Sequence, residues 1–566
     1  MEQSENKPAW WKEAIVYQIY PRSFQDSNED GIGDLRGIIS RLDYVKSLGV
    51  NVIWLNPICA SPNDDNGYDI SDYRQIMGDF GTMEDFDLLL KEIHARSMRL
   101  VLDLVVNHSS DEHPWFREAR TSRSNPYYSY YHWWPVEQGR PPLRLSFFDE
   151  KGDAWRYNPR TKSYYLHYFS RKQPDLNWEN PKVRQEMYAM MKFWLEKGID
   201  GFRMDSISYI SKDIDFPEID QTQYPGIFEY YAQGPRLHEY LHEMNRTVWS
   251  KYDIMTVGEG SGETADQLAL FVEPDREELN MLYGFGPAQV RNTTKPDSPY
   301  TGIPYSLIAL KKMFTLWDQA VGKGWPSIYL GNHDQPRMLS RFGNDSAEYW
   351  GISAKMLATF LLTMRGTPYW YAGDEIGMSN IKFKCIEDYN DINTKNLYKQ
   401  IEEKGGNISA FLEEQKQIAR DNARTPFQWD KSLYAGFSAV KPWLKVNPDY
   451  GQVNVEVQEK APLSVLNYFR KLVKIRQSYT TLIYGKYVLL DPANKKVYAY
   501  LREKGREKFL ITLNFSPKTA CITPGMDLRK ARMILSNYEE RKEKNVCRRI
   551  KLRPYEANIW KWEEAD

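Results

Sequence analysis

The sequence predicts a (β/α)8 barrel, interrupted by a subdomain inserted after its third strand and followed by an all-β C-terminal domain. Three observations predict it. Eight short apolar runs recur with room for a helix between them, several runs end on acidic and basic residues, and from about residue 488 the pattern turns to strands alone. In a parallel barrel, the loops after the strands all open on one face, so polar residues at strand ends converge there.

The runs are Val16–Tyr20, Val52–Leu55, Leu100–Val106 and Gly201–Met204, then Ile254–Val257, Leu279–Tyr283, Ser327–Leu330 and Pro368–Tyr371. Between the first two, Leu35–Leu48 carries apolar residues at helical spacing and stops at Gly49. After the third run the chain is rich in Tyr, Trp, Pro and Gly until helical periodicity resumes at Val183–Trp194. The barrel is therefore expected over 1–108 and 182–487, with the inserted subdomain at 109–181 overhanging its mouth. A second excursion, roughly 376–430, is also placed to border the mouth. The runs Tyr487–Leu490, Val497–Leu501, Phe509–Leu513 and Ala557–Trp560 make 488–566 a β-sandwich-like domain.

Composition removes several function classes. In 566 residues, 75 Lys and Arg nearly cancel 76 Asp and Glu, so no general field favours nucleic acid or an anionic membrane. No span approaches a membrane helix, and the first residues hold no apolar leader, so a cytoplasmic monomer is expected. The cysteines Cys59, Cys385, Cys521 and Cys547 lack metal-ligand spacing and read as reduced thiols. Eighteen Trp and 39 Tyr supply flat amphipathic rings that suit sugars, although most will be core.

The chemistry sits at run ends: Asp103–His108, Gly201–Asp205, Val257–Glu259 and Asn332–Asp334. Glycosidic cleavage needs one carboxylate to attack and one carboxylic acid to protonate the leaving oxygen. Arg203 and Asp205 alternate onto one strand face, where the guanidinium should lower the carboxyl pKa and keep it ionised. Glu259 follows an apolar run that should raise its pKa, as a general acid requires. Each feature alone also suits a structural strand end; their joint occurrence after runs three, four, five and seven is what argues for a site. Separately, Asp26-Ser-Asn-Glu-Asp30-Gly-Ile-Gly-Asp34 places oxygen side chains at alternate positions, like half of an EF-hand loop. Gly37 stands where an EF-hand supplies its Glu, so the loop is not an EF-hand; an Asx-rich turn without metal is the alternative.

Those four stretches, with Asp64–Tyr68, Gln173–Asn177 and Asp421–Pro426, resemble the motifs of the α-amylase superfamily, glycoside hydrolase family thirteen, over nearly the whole chain. The oligo-1,6-glucosidase and α-glucosidase branch is nearest. The resemblance implies that Asp205 is the nucleophile, Glu259 the acid/base and Asp334 the transition-state carboxylate. It implies that His108, His333 and Arg203 hold the sugar and the nucleophile, and that Asp65, Tyr68 and Arg424 clamp the non-reducing end. Phe148 and Phe169 would form ring walls, and Gln173 would tilt preference toward α-1,6 linkages. It further implies one structural Ca²⁺ held by Asp26, Asn28, Asp30, Asp34 and the Ile32 carbonyl, and no organic cofactor. The pattern breaks at Ser206, at Gly260-Ser261 and at Gly331, positions that border the leaving group in relatives. The expected activity is exo-acting, retaining hydrolysis of short α-glucosides. Two other readings remain open: a sucrose isomerase or transglucosylase, whose Arg-Leu-Asp-Arg-Asp segment is missing after Tyr283–Phe285, and a catalytically dead transporter heavy chain, against which the retained carboxylates argue.

Overall fold

The computed structural model describes residues 8–149, 152–219, 227–232, 234–260, 262, 264–284, 306–526, 528–539 and 549–563. Ser261, Cys547 and the segment after Tyr283 that was weighed against the isomerase pattern lie outside these residues.

Eight parallel strands form the central sheet: β1 (Val16–Ile19), β2 (Val52–Leu55), β3 (Arg99–Val105), β4 (Gly201–Asp205), β5 (Met255–Gly260), β6 (Met281–Gly284), β7 (Ser327–Ile328) and β8 (Thr367–Tyr371). Their hydrogen-bonded order is β6-β5-β4-β3-β2-β1-β8-β7, so the barrel is nearly closed. Side chains bridge the remaining seam: Tyr329 Oη donates to the Gly284 carbonyl at 2.7 Å, Ser327 Oγ to Leu282 at 2.7 Å, and the Tyr283 and Tyr329 rings stack at 3.9 Å. Each predicted run became a strand because it is buried on both faces and largely apolar, its polar residues gathering toward the site. Val16, Val52, Val101, Met255, Val257 and Met281 fill the barrel interior, while Ile53, Leu100, Phe202 and Met204 pack outward under the helices. Each such side chain contributes about 1.5–3 kcal/mol of burial. Gly201 begins β4 because nothing larger fits: a Cβ there would lie 2.0 Å from the Met255 carbonyl, at φ +152°.

The predicted helix Leu35–Leu48 is two helices, Leu35–Ser40 and Leu42–Ser47. Arg41 leaves helical geometry (φ −111°, ψ 4°) because its guanidinium bonds Gln25 Oε1 at 2.7 Å and lies over the Trp429 ring at 4.2 Å. Periodicity could not show that tertiary pull.

After β3 the chain makes a small antiparallel sheet of Trp133–Pro135, Ser163–Leu166 and Trp155–Asn158, then returns beside β3 through a bridge between His108 and Asp175. The helix Pro181–Lys197 follows, capped by Asn180 and ended by left-handed Gly198. The excursion after β8 holds two helices, Ile392–Glu403 and Ile408–Ile418. The C-terminal domain is a five-stranded antiparallel sheet in the order Lys486–Leu490, Val497–Lys504, Glu507–Asn514, Ala557–Glu563, Arg532–Ser536, with a separate pair Ala520–Ile522 and Ile550–Leu552. It docks on the barrel through buried Arg502, which donates to the carbonyls of Thr363, Leu482 and Gly485. Among the described residues, no helix is long and apolar enough to cross a membrane.

Candidate active site

Register places the acidic residues side by side. Arg203 of β4 pairs with Asp103 of β3 and with Val257 of β5, and Met204 pairs with Gly258. One step further along both strands stand Asp205 and Glu259. Arg203, fully buried, therefore faces three carboxylates: Asp103 at 2.8 Å, Asp205 at 3.0 Å and Glu259 at 2.6 Å. The Trp54 ring lies 5.2 Å behind it.

The electrostatics separate the pair. Burial pushes Glu259 up to about 8, and the Asp205 charge adds to it; Arg203 and the Ser206 N–H oppose the shift. Burial also raises Asp205 to about 6, against the guanidinium of Arg203. This corrects the sequence expectation for Asp205: the arginine does lower the value, but desolvation outweighs it. Asp334 behaves oppositely, since His333, Arg420 and Arg424 together overcome burial and hold it well below the usual carboxylate range.

Ser206 has left-handed backbone, φ 48° and ψ 33°. That turn aims its N–H at Glu259 Oε2, 2.9 Å away.

Tyr68 and the two histidines stand buried beyond the ends of β2, β3 and β7. Tyr68 Oη donates to Asp103 at 2.9 Å, and its ring stacks parallel to His333 at 5.3 Å. Gln18 Nε2 donates to His333 Nδ1 at 2.8 Å, which leaves the proton on Nε2, 3.1 Å from Asp334 Oδ2. Burial pushes His333 down to about 4 and His108 to about 3, so both are neutral. His108 Nε2 donates to the Tyr68 carbonyl at 3.1 Å. Phe169 stands 5.0 Å from the His108 ring, and Phe148 stands 5.5 Å from Phe169. Gln173 Nε2 donates to Asp65 at 3.2 Å.

The expected clamp differs in one partner. Asp65 pairs with Arg420, at 3.2 Å, and Arg420 also reaches Asp334 at 3.0 Å. Arg424 instead bonds Asp334 at 2.8 Å and the His333 carbonyl at 2.8 Å. Arg420 was missed in the sequence although it directly precedes Asp421–Pro426. Two arginines four residues apart cannot be ranked by spacing alone. Asp103, seen only as part of a motif, is the carboxylate that receives Arg203, Tyr68 and, at 3.3 Å, Trp54 Nε1. At Gly331, a Cβ would face Met338 N and Asp374 Oδ2, 3.5 and 3.6 Å away, so bulk there would press on Asp374.

In the loop 26–34, the carboxylates serve the backbone. Asp26 accepts the N–H groups of Asn28, Glu29 and Gly31, and Asp34 caps the helix Leu35–Ser40 through the Gly37 N–H and accepts Ser27 N–H. Asp30 accepts Ile32 N–H at 2.8 Å and Asn28 Nδ2 at 3.0 Å. The donor set is all hard oxygen, as Ca²⁺ prefers. Among the described residues, no three His, Cys, Asp or Glu gather as one ion's ligands.

The chain matches the α-amylase catalytic domain over residues 18–485 and the maltogenic amylase C-terminal domain over 487–559. An oligo-1,6-glucosidase of Parageobacillus thermoglucosidasius is 52% identical over 560 residues, covering 98% of this chain and 99% of its own. One from Bacillus cereus is 49% identical, with the same coverage. Among solved structures, an isomaltulose synthase of Erwinia rhapontici NX5 with its natural substrate sucrose superposes with a TM-score of 0.94 at 44% identity, covering 98% of this chain and all of that one.

Proposed function

The chain belongs to the α-amylase family, and from that membership we propose an exo-acting, retaining α-glucosidase that removes single glucose units from the non-reducing end of short α-glucosides, isomalto-oligosaccharides favoured. One observation carries the reading: a single buried guanidinium, Arg203, reaches both Asp205, at 3.0 Å, and Glu259, at 2.6 Å, on adjacent strands. At neutral pH Asp205 is mostly ionised and Glu259 mostly protonated.

In this mechanism Asp205 attacks the anomeric carbon while the glycosidic C–O bond breaks and the Glu259 proton passes to the leaving oxygen. The glucosyl ester is then cleaved by water, whose proton returns to Glu259, and Asp205 is released as carboxylate. Asp334, held ionised by its arginines, stabilises the positive charge that develops on the sugar ring. Asp65 and Arg420 close the far end of the pocket, and Tyr68, His108, His333, Phe148, Phe169, Gln173 and Arg424 hold the glucosyl unit. Residues 1–108 and 182–487 carry the chemistry, 109–181 encloses the substrate, and 488–566 supports the barrel.

Asp26, Asn28, Asp30, Asp34 and the Ile32 carbonyl would hold one Ca²⁺ through lone pairs left beside their backbone hydrogen bonds, fixing the loop away from the chemistry. Free thiols at Cys59, Cys385 and Cys521 support a reducing, cytoplasmic setting, and we read the protein as a monomer.

A product profile on isomaltose, maltose, sucrose, trehalose and isomaltotriose tests the proposal. Glucose released first as the α-anomer from isomaltose and isomaltotriose is expected; a β-anomer first product sinks it. The second reading, isomerisation of sucrose, draws on the likeness to isomaltulose synthase. Isomaltulose formed from sucrose faster than glucose would favour it.

A further inference from the structure

A cavity of about 560 Å³ separates the inserted subdomain from the helix Ile392–Glu403. It borders the residues assigned to the glucosyl unit: Phe148 lines it, and so do Asp64, Ser170 and Asn390, the chain neighbours of Asp65, Phe169 and Asp391. Open space takes the place of packed apolar surface there, so directed hydrogen bonds set how the helix and the subdomain sit. Asn396 Nδ2 donates to the Phe148 carbonyl at 2.6 Å, and Gln400 Nε2 donates to the Asp149 carbonyl at 3.2 Å.

The start of the same helix reaches the arginine. Asp391, nearly fully buried, is its N-cap: one carboxylate oxygen accepts Thr394 N at 2.9 Å and Thr394 Oγ1 at 2.7 Å. The other accepts Arg420 Nε at 2.8 Å and Nη2 at 2.5 Å. Asp421 fixes this cap from behind by accepting the N–H groups of Asn390 and Asp391. A guanidinium is planar, so fixing two of its nitrogens fixes the third. That orientation puts Nη1 on Asp334 and lets Nη2 also reach Asp65, and it lays the group 4.7 Å from the Phe148 ring.

We propose that the helix Ile392–Glu403 is a strut that positions the far wall of the glucosyl pocket, with Asp391 the positioning residue for Arg420 and Asn396 and Gln400 the anchors of the Phe148 backbone. The inference rests on the glucosidase reading, because it assigns the wall to the glucosyl unit. That unit is common to every substrate, so the strut governs binding of glucose itself and is blind to the leaving group.

The test compares wild type with Asp391→Ala, Asp391→Asn and the double variant Asn396→Ala/Gln400→Ala. KM and kcat are measured for isomaltose, maltose and 4-nitrophenyl α-glucoside, with glucose as competitive inhibitor. Asp391→Ala should raise the glucose inhibition constant and all three KM values by one common factor, about 10–100-fold, with a smaller common fall in kcat through Asp334, which keeps Arg424 and His333. Asp391→Asn keeps one acceptor and should recover part of the loss. The double variant, which leaves Arg420 and its partners intact, should raise the same constants about 3–10-fold. Unequal factors among the substrates, or a fall in kcat at constant KM, would overturn the strut. If Asp391→Ala does not fold, an unchanged glucose inhibition constant in the double variant overturns it. A wild-type enzyme inert on 4-nitrophenyl α-glucoside would instead sink the glucosidase reading beneath it.

Discussion

Replacing Glu259 with Gln separates the acid/base role from everything else the pocket does. With burial holding Asp205 near 6 and Glu259 near 8, pH 7 lies between the two, so the first favours its ionised form and the second its protonated form. The wild-type kcat/KM profile should therefore be a bell with limbs near 6 and 8, both belonging to the pair as a unit. Glu259→Gln keeps the shape of the side chain and removes the transferable proton. Turnover of isomaltose should drop by about 10²–10⁴-fold, the usual worth of general acid–base catalysis, or ~2.7–5.5 kcal/mol of barrier. The alkaline limb should vanish with it. On 4-nitrophenyl α-glucoside, whose leaving group needs no proton, the first step should survive, giving a burst of nitrophenol followed by slow turnover. Stability supplies an independent reading. A carboxyl raised from 4.5 to about 8 keeps its proton in the folded chain after the unfolded chain has lost it. Wild type must then lose stability relative to Glu259→Gln as pH rises from 4.5 through 8. Melting temperatures across that range, with stopped-flow kinetics on both substrates, check the argument. An alkaline limb that persists in the variant, or equal losses on isomaltose and the nitrophenyl glucoside, would refute it.

Arg203→Met should destabilise the fold by about 3–5 kcal/mol in urea titrations, because it strands the buried carboxylates of Asp103 and Asp205, and should abolish turnover. Ser206→Val puts a β-branched residue into left-handed backbone, so it should cost ~1–3 kcal/mol while raising the isomaltose-to-maltose ratio of kcat/KM, by up to roughly 200-fold; a flat ratio removes the linkage role of this position. Chelation should lower the Tm and Ca²⁺ add-back should restore it, the ion contributing ~2.7 kcal/mol of stability at a hundred times its Kd, with kcat unmoved. An identical melting curve in both conditions counts against the ion.

The barrel was legible because its strands are buried on both faces and read as apolar runs, whatever packs around them. The edge strand Arg532–Ser536 and the short pair Ala520–Ile522 with Ile550–Leu552 were not found. They are brief: each member of the pair is three residues long, too short for its alternation to stand out, and the apolar centre of Arg532–Ser536 is only partly buried. The carboxylates of the site were found from where they stand on strands, which local sequence reports well. Arg420 was not, since its place depends on the helix Ile392–Glu403 and on an ion pair with Asp65, 355 residues away in the chain. The direction of the Asp205 shift also escaped a local reading. Two residues of sequence reveal the neighbouring arginine and say nothing of the complete desolvation around both.

The pairing of Arg203 with Val257 and Met204 with Gly258 gives the chemistry a ruler. Neighbouring parallel strands run about 4.8 Å apart, a distance fixed by backbone hydrogen bonds and indifferent to side chains. Two carboxyl groups projected from level positions on adjacent strands inherit that pitch, which falls beside the ~5–5.5 Å that a double-displacement reaction requires. An inverting outcome needs ~6.5–9.5 Å, room for a water. Side-chain rotamers widen or narrow the gap around that pitch, so the sheet repeat favours the shorter separation and the shared Arg203 holds the pair there. A designer wishing to reverse the stereochemistry of the product would start by moving the acid to a different strand, for example from β5 to β6, where Tyr283 stands level with Glu259.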